Sequence, residues 1–281
     1  MFKKAVRENI KIKIAVMGPS GSGKTFSSLK IAKGLGGKIA LIDTENKSAN
    51  IYSNLVDFDV CQLSEPYTSK KFIDAIKEAI KEGYETIIID SITHEWAGQG
   101  GILDRKTVKD SIGGNSFVNW RDFTKEHNDF IASILNADAN IVCTMRSKTD
   151  YVMEKNEKEK MMPRKVGLAP IQREGMDYEY SIVFDIAQNH MASVSKDRTS
   201  IFDGRNFVID EKIGEEIKNF INSGETIKKS LKDTILEKTS GLKDEELKAK
   251  IVDLVTREND NEKLEKYDER VNELIKKENN V

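Results

Sequence analysis

Residues Gly18 to Thr25 read Gly-Pro-Ser-Gly-Ser-Gly-Lys-Thr, which fits the pattern G-x-x-x-x-G-K-[ST] without deviation. The glycines remove Cβ atoms that would hold backbone N–H groups apart, so the amides can converge on one anionic ligand. Lys24 stands where it reaches the outer phosphates of a nucleoside triphosphate, and Thr25 where its hydroxyl meets a Mg²⁺ ion. Such a turn works between a strand and a helix, whose N-terminal dipole adds positive potential. Both flanks are present. Ile10 to Met17 alternates Ile10, Ile12, Ile14 and Val16 with smaller or charged residues, and Thr25 to Leu35 places Phe26, Leu29, Ile31 and Ala32 on a helical face. ATP and Mg²⁺ are the expected cofactors. The expected contacts are Gly18, Pro19, Ser20, Gly21, Ser22, Gly23, Lys24, Thr25 and the adjoining Phe26.

The same alternation of short apolar strands with amphipathic helices continues. Lys38 to Asp43, Thr86 to Asp90, Asn140 to Met145, Ser181 to Ala187 and Met191 to Ser195 read as strands; Ser69 to Glu82 and Phe117 to Leu135 read as helices. This order predicts an α/β fold with a mostly parallel central sheet flanked by helices, with ligands gathered at the carboxyl ends of the strands. After Gly224 about half the residues are charged and the apolar ones fall at helical spacing, as in Leu247, Ile251, Leu254 and Val255, then Leu264, Tyr267, Val271, Leu274 and Ile275. The expected organisation is a core over 1–223 and a small charged helical appendage over 224–281, capping the core or meeting a partner.

The net charge of −2 supplies no global basic field, so any polyanion site must be a local patch. No apolar run approaches the ~20 residues that span a bilayer, and the first residues lack the apolar core of a leader. Cys61 and Cys143 form neither a disulfide framework nor a metal spacing and read as small core residues. A soluble cytoplasmic protein without a membrane partner is expected.

Asp90, at the tip of Thr-Ile-Ile-Ile, is the acid expected to hold Mg²⁺ with Thr25. Ser91 follows it rather than a glutamate, so the base that activates water must come from elsewhere. Glu45, just past the tip of the second strand, is the first choice; Asp43, Glu95 and His94 are its rivals. A glutamate contributed this way resembles the RecA-like branch of P-loop ATPases. That resemblance implies that Thr144, at the end of Ile141 to Met145, serves as a polar γ-phosphate sensor. It also implies that Lys196 and Arg198 reach a neighbouring subunit's γ-phosphate. An ordinary surface turn explains that last pair equally well.

Several stretches are similar to the phage- and prophage-encoded ATP-binding proteins of the RecA-like AAA-ATPase group, over about residues 10 to 207. They are Asp90-Ser91-Ile92-Thr93-His94-Glu95-Trp96, Thr144-Met145-Arg146-Ser147-Lys148-Thr149, Ala169-Pro170-Ile171-Gln172-Arg173-Glu174-Gly175-Met176-Asp177-Tyr178-Glu179 and Lys196-Asp197-Arg198-Thr199. The resemblance implies a RecA-like P-loop ATPase of phage DNA recombination or replication, similar to RecA-core single-strand annealing proteins. It further implies a homo-oligomer, ring or filament, working on single-stranded DNA in a bacterial host's cytoplasm. DNA contacts would come from two long loops, Ala97 to Ser116 and Ser147 to Met176. Arg105, Lys106, Lys148, Arg164, Lys165 and Arg173 are the cations singled out there, with Tyr151 as a stacking face. Glu154, Glu157 and Glu159 interleave with the lysines of the second loop, which is also the pattern of a plain solvated hairpin. Two further readings remain open. One is a phosphotransferase with Arg146, Arg164 and Arg173 as a lid; the other is a nucleotide-gated partner-binding protein.

Overall fold

β1 (Lys13–Gly18) is buried along its whole length, and its pleat sends Ile14 and Val16 to one face of the sheet and Ala15 and Met17 to the other. That division organises the molecule. The computed structural model describes residues 10–155, 161–223, 231–240, 242, 245–258 and 261–279. The chain separates into two compact units, one over Asn9–Asn222 and one that takes in Ser223–Val281.

In the first unit β1 is followed by α1 (Lys24–Leu35), β2 (Ile39–Asp43), β3 (Asp59–Gln62), α2 (Ser69–Lys81) and β4 (Thr86–Asp90). Then come α3 (Thr93–Ala97), α4 (Ile102–Ile112), α5 (Ser116–Leu135), β5 (Asn140–Lys155) and β6 (Met161–Pro170). β7 (Ile182–Ile186), β8 (Met191–Asp197), β9 (Asn206–Val208) and α6 (Glu211–Asn222) complete it. The sheet order is β3-β2-β4-β5-β1-β7-β8-β9, with β6 paired to β5. From β3 across to β7 all neighbours are parallel; β8 and β9 add antiparallel strands at the far edge. This is the mostly parallel, helix-flanked sheet expected from the pattern. Parallel strands buried on both faces need continuous apolar runs, and Ile87, Ile88 and Ile89 of β4 are fully buried.

Each face has its own helices. Ile14, Val16, Leu41, Val142 and Phe184 pack with Leu29 and Ile31 of α1 and Ile213 and Ile217 of α6. On the other face Ala15, Met17, Ile87, Cys143 and Val183 meet Phe72 and Ile76 of α2 and Phe130 and Ile134 of α5. α1 and α6 approach so closely that a Cβ on Gly34 or Gly214 would run into the opposing helix backbone.

Three expectations need correction. Ala97 to Ser116 is not a loop: it contains α4, with Gly101 and Gly113 as its end caps, so those glycines terminate a helix rather than loosen a connection. Ser147 to Met176 is largely a hairpin, with β5 and β6 paired from Ser147↔Pro170 to Lys155↔Met161. Glu157, Lys158, Glu159 and Lys160 lie outside the described residues, as do the side chains of Tyr151, Glu154, Arg164 and Lys165. Cys61 lies exposed on β3, a strand exposed at every residue, whereas Cys143 is buried.

The second unit contains α7 (Leu231–Ser240), α8 (Glu245–Arg257) and α9 (Asn261–Asn279). Ile235, Val255, Leu264 and Val271 form its small core, and Lys238 is 2.7 Å from Asp268. Among the described residues no helix is long and apolar enough to cross a membrane.

Candidate nucleotide site

β1 delivers the chain to Gly18 at the carboxyl edge of the sheet, and the turn that follows needs glycine at specific points. Gly21 and Gly23 have φ of 77° and 90°, in the left-handed region that L-residues with a Cβ rarely adopt. Gly18 is required for space, because a Cβ there would strike the Ser22 side chain and the Ile186 carbonyl. Within the turn, Ser22 Oγ is buried without a hydrogen-bond partner among the described residues, and Lys24 Nζ folds back to donate to the Pro19 carbonyl at 2.9 Å. Leaving a buried hydroxyl unsatisfied costs about 1–3 kcal/mol. A backbone cradle opening the N-terminus of α1, an unsatisfied hydroxyl and an ammonium spent only on its own turn fit phosphate oxygens. Burial lowers the Lys24 pKa, while Asp90 and Glu45 pull it back up.

β5 lies between β1 and β4, so the ends of β1 and β4 meet the Thr144–Arg146 stretch of β5 at this edge. Asp90, at the end of β4, is 1% exposed. Its Oδ2 accepts from Thr25 Oγ1 and its Oδ1 from Thr144 Oγ1, each at 2.5 Å. Burial pushes the Asp90 carboxyl above the usual carboxylate range, and the two hydroxyls oppose that shift. Thr25 and Asp90 together offer Mg²⁺ two hard oxygen positions. That suits an ion that keeps several waters and takes phosphate oxygens for the rest.

β2 runs beside β4, and Thr44 N donates to the Asp90 carbonyl at 2.8 Å. This places the following residue, Glu45, at the rim of the cradle. Asp43 Oδ1 fixes the turn by accepting from Glu45 N at 2.6 Å. The Glu45 Oε1 accepts from Arg146 Nε at 3.0 Å and from its terminal nitrogen at 2.8 Å. Arg146 comes from β5 two residues past Thr144, where the strand leaves its pairing with β1 and begins its pairing with β6. A cavity of about 710 Å³ opens here, lined by the turn, Phe26, Glu45, Asp90 and Arg146. Tyr52, His190, Val208 and Ile209 line it as well, and His190 Nδ1 lies 3.0 Å from the Ser22 carbonyl.

Of the acids and histidine weighed as a base, Glu45 alone lines this cavity. Asp43 is engaged with the Glu45 amide and with Gln62 Nε2 at 3.1 Å. His94 contacts Thr44 Oγ1 at 2.7 Å and stacks on Tyr67, and burial together with Arg146 lowers its pKa. Glu95 is fully buried elsewhere, accepting from Ser69 Oγ at 2.6 Å and facing His127 Nδ1 at 3.2 Å.

Lys196 and Arg198 are not part of this cluster. Lys196 pairs with Val183, and Arg198 N bonds the Ser181 carbonyl, toward the end of the parallel strands opposite the turn. Both side chains donate to the Tyr178 carbonyl. Arg105 is committed to Glu126, with contacts of 2.6 and 2.8 Å, and Lys106 to Asp110 and Ser116. Neither is a free cation. Lys148 is exposed on β5, and Arg173 donates to Asn128 Oδ1 at 3.0 Å. Of the arginines considered as a lid, Arg146 lines the cavity and Arg173 does not, while the side chain of Arg164 lies outside the described residues.

Cradle, lysine, hydroxyl and buried acid on a parallel sheet define a P-loop nucleotide-binding protein. The chain belongs to the AAA-domain family of P-loop ATPases, whose match covers residues 10–212. No curated protein matches it significantly.

Proposed function

We propose that the chain is a Mg²⁺-dependent ATPase in which Glu45 activates the attacking water, acting on single-stranded DNA in phage recombination or replication. The observation that carries the hydrolytic part is the presence of Glu45 in one cavity with Lys24, Thr25 and Asp90. Mg²⁺, held by Thr25 and Asp90, would neutralise charge developing on the phosphates. The chain's own groups do the rest. The turn's amides and Lys24 bind and orient the triphosphate, and Thr144 keeps the Asp90 carboxylate in place through its hydroxyl. Glu45 takes the proton from water once Arg146 releases it. The Arg146 guanidinium, freed from Glu45, is then a cation beside the phosphates.

The similarity to RecA-like phage proteins supports the DNA and assembly parts: a ring or filament in the cytoplasm of a bacterial host, with the 224–281 segment as an appended helical domain. Lys196 and Arg198 sit away from their own cradle, so their role in such an assembly is toward a neighbouring subunit's phosphates. Glu45→Gln tests the chemistry. It should retain ATP binding and lose nearly all turnover, and unimpaired phosphate release would move the base elsewhere.

A further inference from the structure

α5 carries an outward face that serves neither the core nor the nucleotide cavity. The chain has two tryptophans, Trp96 on α3 and Trp120 on α5, and they stack with ring centres 5.9 Å apart and planes 22° from parallel. Together with Thr124, Arg173 and Tyr178 they line a groove of about 590 Å³. Phe117, one turn before Trp120, is 85% exposed, and Tyr178 is 71% exposed. Arg121 and Lys125 follow Phe117 at successive turns of the same helix face. Among the described residues neither pairs with a carboxylate, and Arg173 is held by the neutral Asn128.

The acids of α5 are disposed differently. Asp122 meets Lys109 at 2.9 Å and Glu126 meets Arg105 at 2.6 Å, which neutralises both against α4. Asp129, one turn beyond Lys125, and Glu174, in the groove wall, border the face. The face therefore offers the exposed rings of Phe117 and Tyr178, with half-buried Trp120 held between Trp96 and the Lys106 ammonium, beside cations that pair with no carboxylate among the described residues. Exposed rings stack on the faces of unpaired bases, which a duplex hides within its own stack, while the cations follow phosphates.

We infer that single-stranded DNA runs along this face, bases against Phe117, Tyr178 and the groove-facing edge of Trp120, and phosphates against Arg121, Lys125 and Arg173. The inference rests on the reading that the chain acts on single-stranded DNA. It moves the strand off Arg105 and Lys106, whose charges are already taken.

Both tryptophans belong to the face, so their emission reports on it directly. The test titrates the full chain with oligothymidylate at low salt, following the anisotropy of a labelled strand and the tryptophan emission in parallel. The expected result is a rise in anisotropy matched by tryptophan quenching. Phe117→Ala and Arg121→Ala/Lys125→Ala should each weaken binding by about tenfold, and the double variant should flatten the salt dependence by about one phosphate contact or more. ATP binding by both variants, unchanged, shows that they are folded. Saturable anisotropy with unaltered emission and wild-type affinity in the variants would place the strand elsewhere while sparing the DNA reading. No anisotropy change at all would overturn both. Variants that alter sedimentation without DNA, and leave DNA affinity intact, would make the face a contact between copies and overturn the inference.

Discussion

Replacing Thr144 with valine preserves the shape of β5 beside Asp90 and removes one hydroxyl. That hydroxyl donates to Asp90 Oδ1 at 2.5 Å, and the carboxyl it serves is 1% exposed. A hydrogen bond to a charged group contributes about 1.5–3 kcal/mol. At about 1.4 kcal/mol per factor of ten, its loss disfavours the ionised form by roughly ten- to a hundredfold. Burial already holds the Asp90 carboxyl above its ordinary range, with the Thr144 and Thr25 hydroxyls opposing it. Without Thr144 the pKa moves further up, so a proton competes with Mg²⁺ at higher pH. ATP turnover should fall by about tenfold or more, with the acid limb of its pH profile displaced toward neutrality. The deficit is larger in mildly acid than in mildly alkaline buffer, and the Mg²⁺ requirement rises most where the deficit is largest. Steady-state phosphate release across pH, with Mg²⁺ titrated at each point, measures this. Thr144→Ser, which restores the hydroxyl, should recover most of the loss. A Thr144→Val protein with the wild-type pH profile and Mg²⁺ requirement would refute the argument.

Lys13 is buried at the start of β1, its Nζ donating to the Ala137 and Ala139 carbonyls at 2.8 and 2.7 Å, and burial lowers its pKa to about 8. Between about pH 8 and the ordinary value of 10.5 the unfolded chain holds a proton that the folded one has released, so stability rises with pH there. The rise is on the order of 3 kcal/mol, and Lys13→Met should lack it; equal slopes in denaturant midpoint for the two proteins would contradict this. If Lys196 and Arg198 act on a neighbour, inactive Arg198→Ala and inactive Lys24→Ala proteins should regain turnover on mixing. Failure to recover in assemblies shown to contain both would restrict the pair to its contact with the Tyr178 carbonyl.

The strands of the parallel sheet were readable because burial on both faces demands uninterrupted apolar runs, as in Ile87 to Ile89. The cradle was readable because its chemistry is local: eight consecutive residues supply the turn, the ammonium and the hydroxyl. What escaped is non-local or weakly patterned. The Glu45–Arg146 pair joins residues 101 apart, and only the strand order β2-β4-β5 brings them together. His190 reaches the cavity from a turn between β7 and β8 that carries no sequence signal of its own. α4 read as a loop because only Ile102 of it is buried, too little for a helical period. β3 was missed because an edge strand exposed at every residue has no apolar alternation. Arg105 and Lys106 looked like free cations, but the packing of α5 on α4 sets Glu126 against Arg105, and α4's own turn sets Asp110 four residues past Lys106.

The central claim, that this cradle hydrolyses ATP in response to single-stranded DNA, is tested most directly by phosphate release from Mg²⁺-ATP with and without oligonucleotide, at low salt. The wild-type chain should turn over ATP faster with DNA, and Lys24→Ala should show no turnover in either condition. Lys24→Ala protein that hydrolyses ATP normally, or a wild type inert with and without DNA, would contradict it.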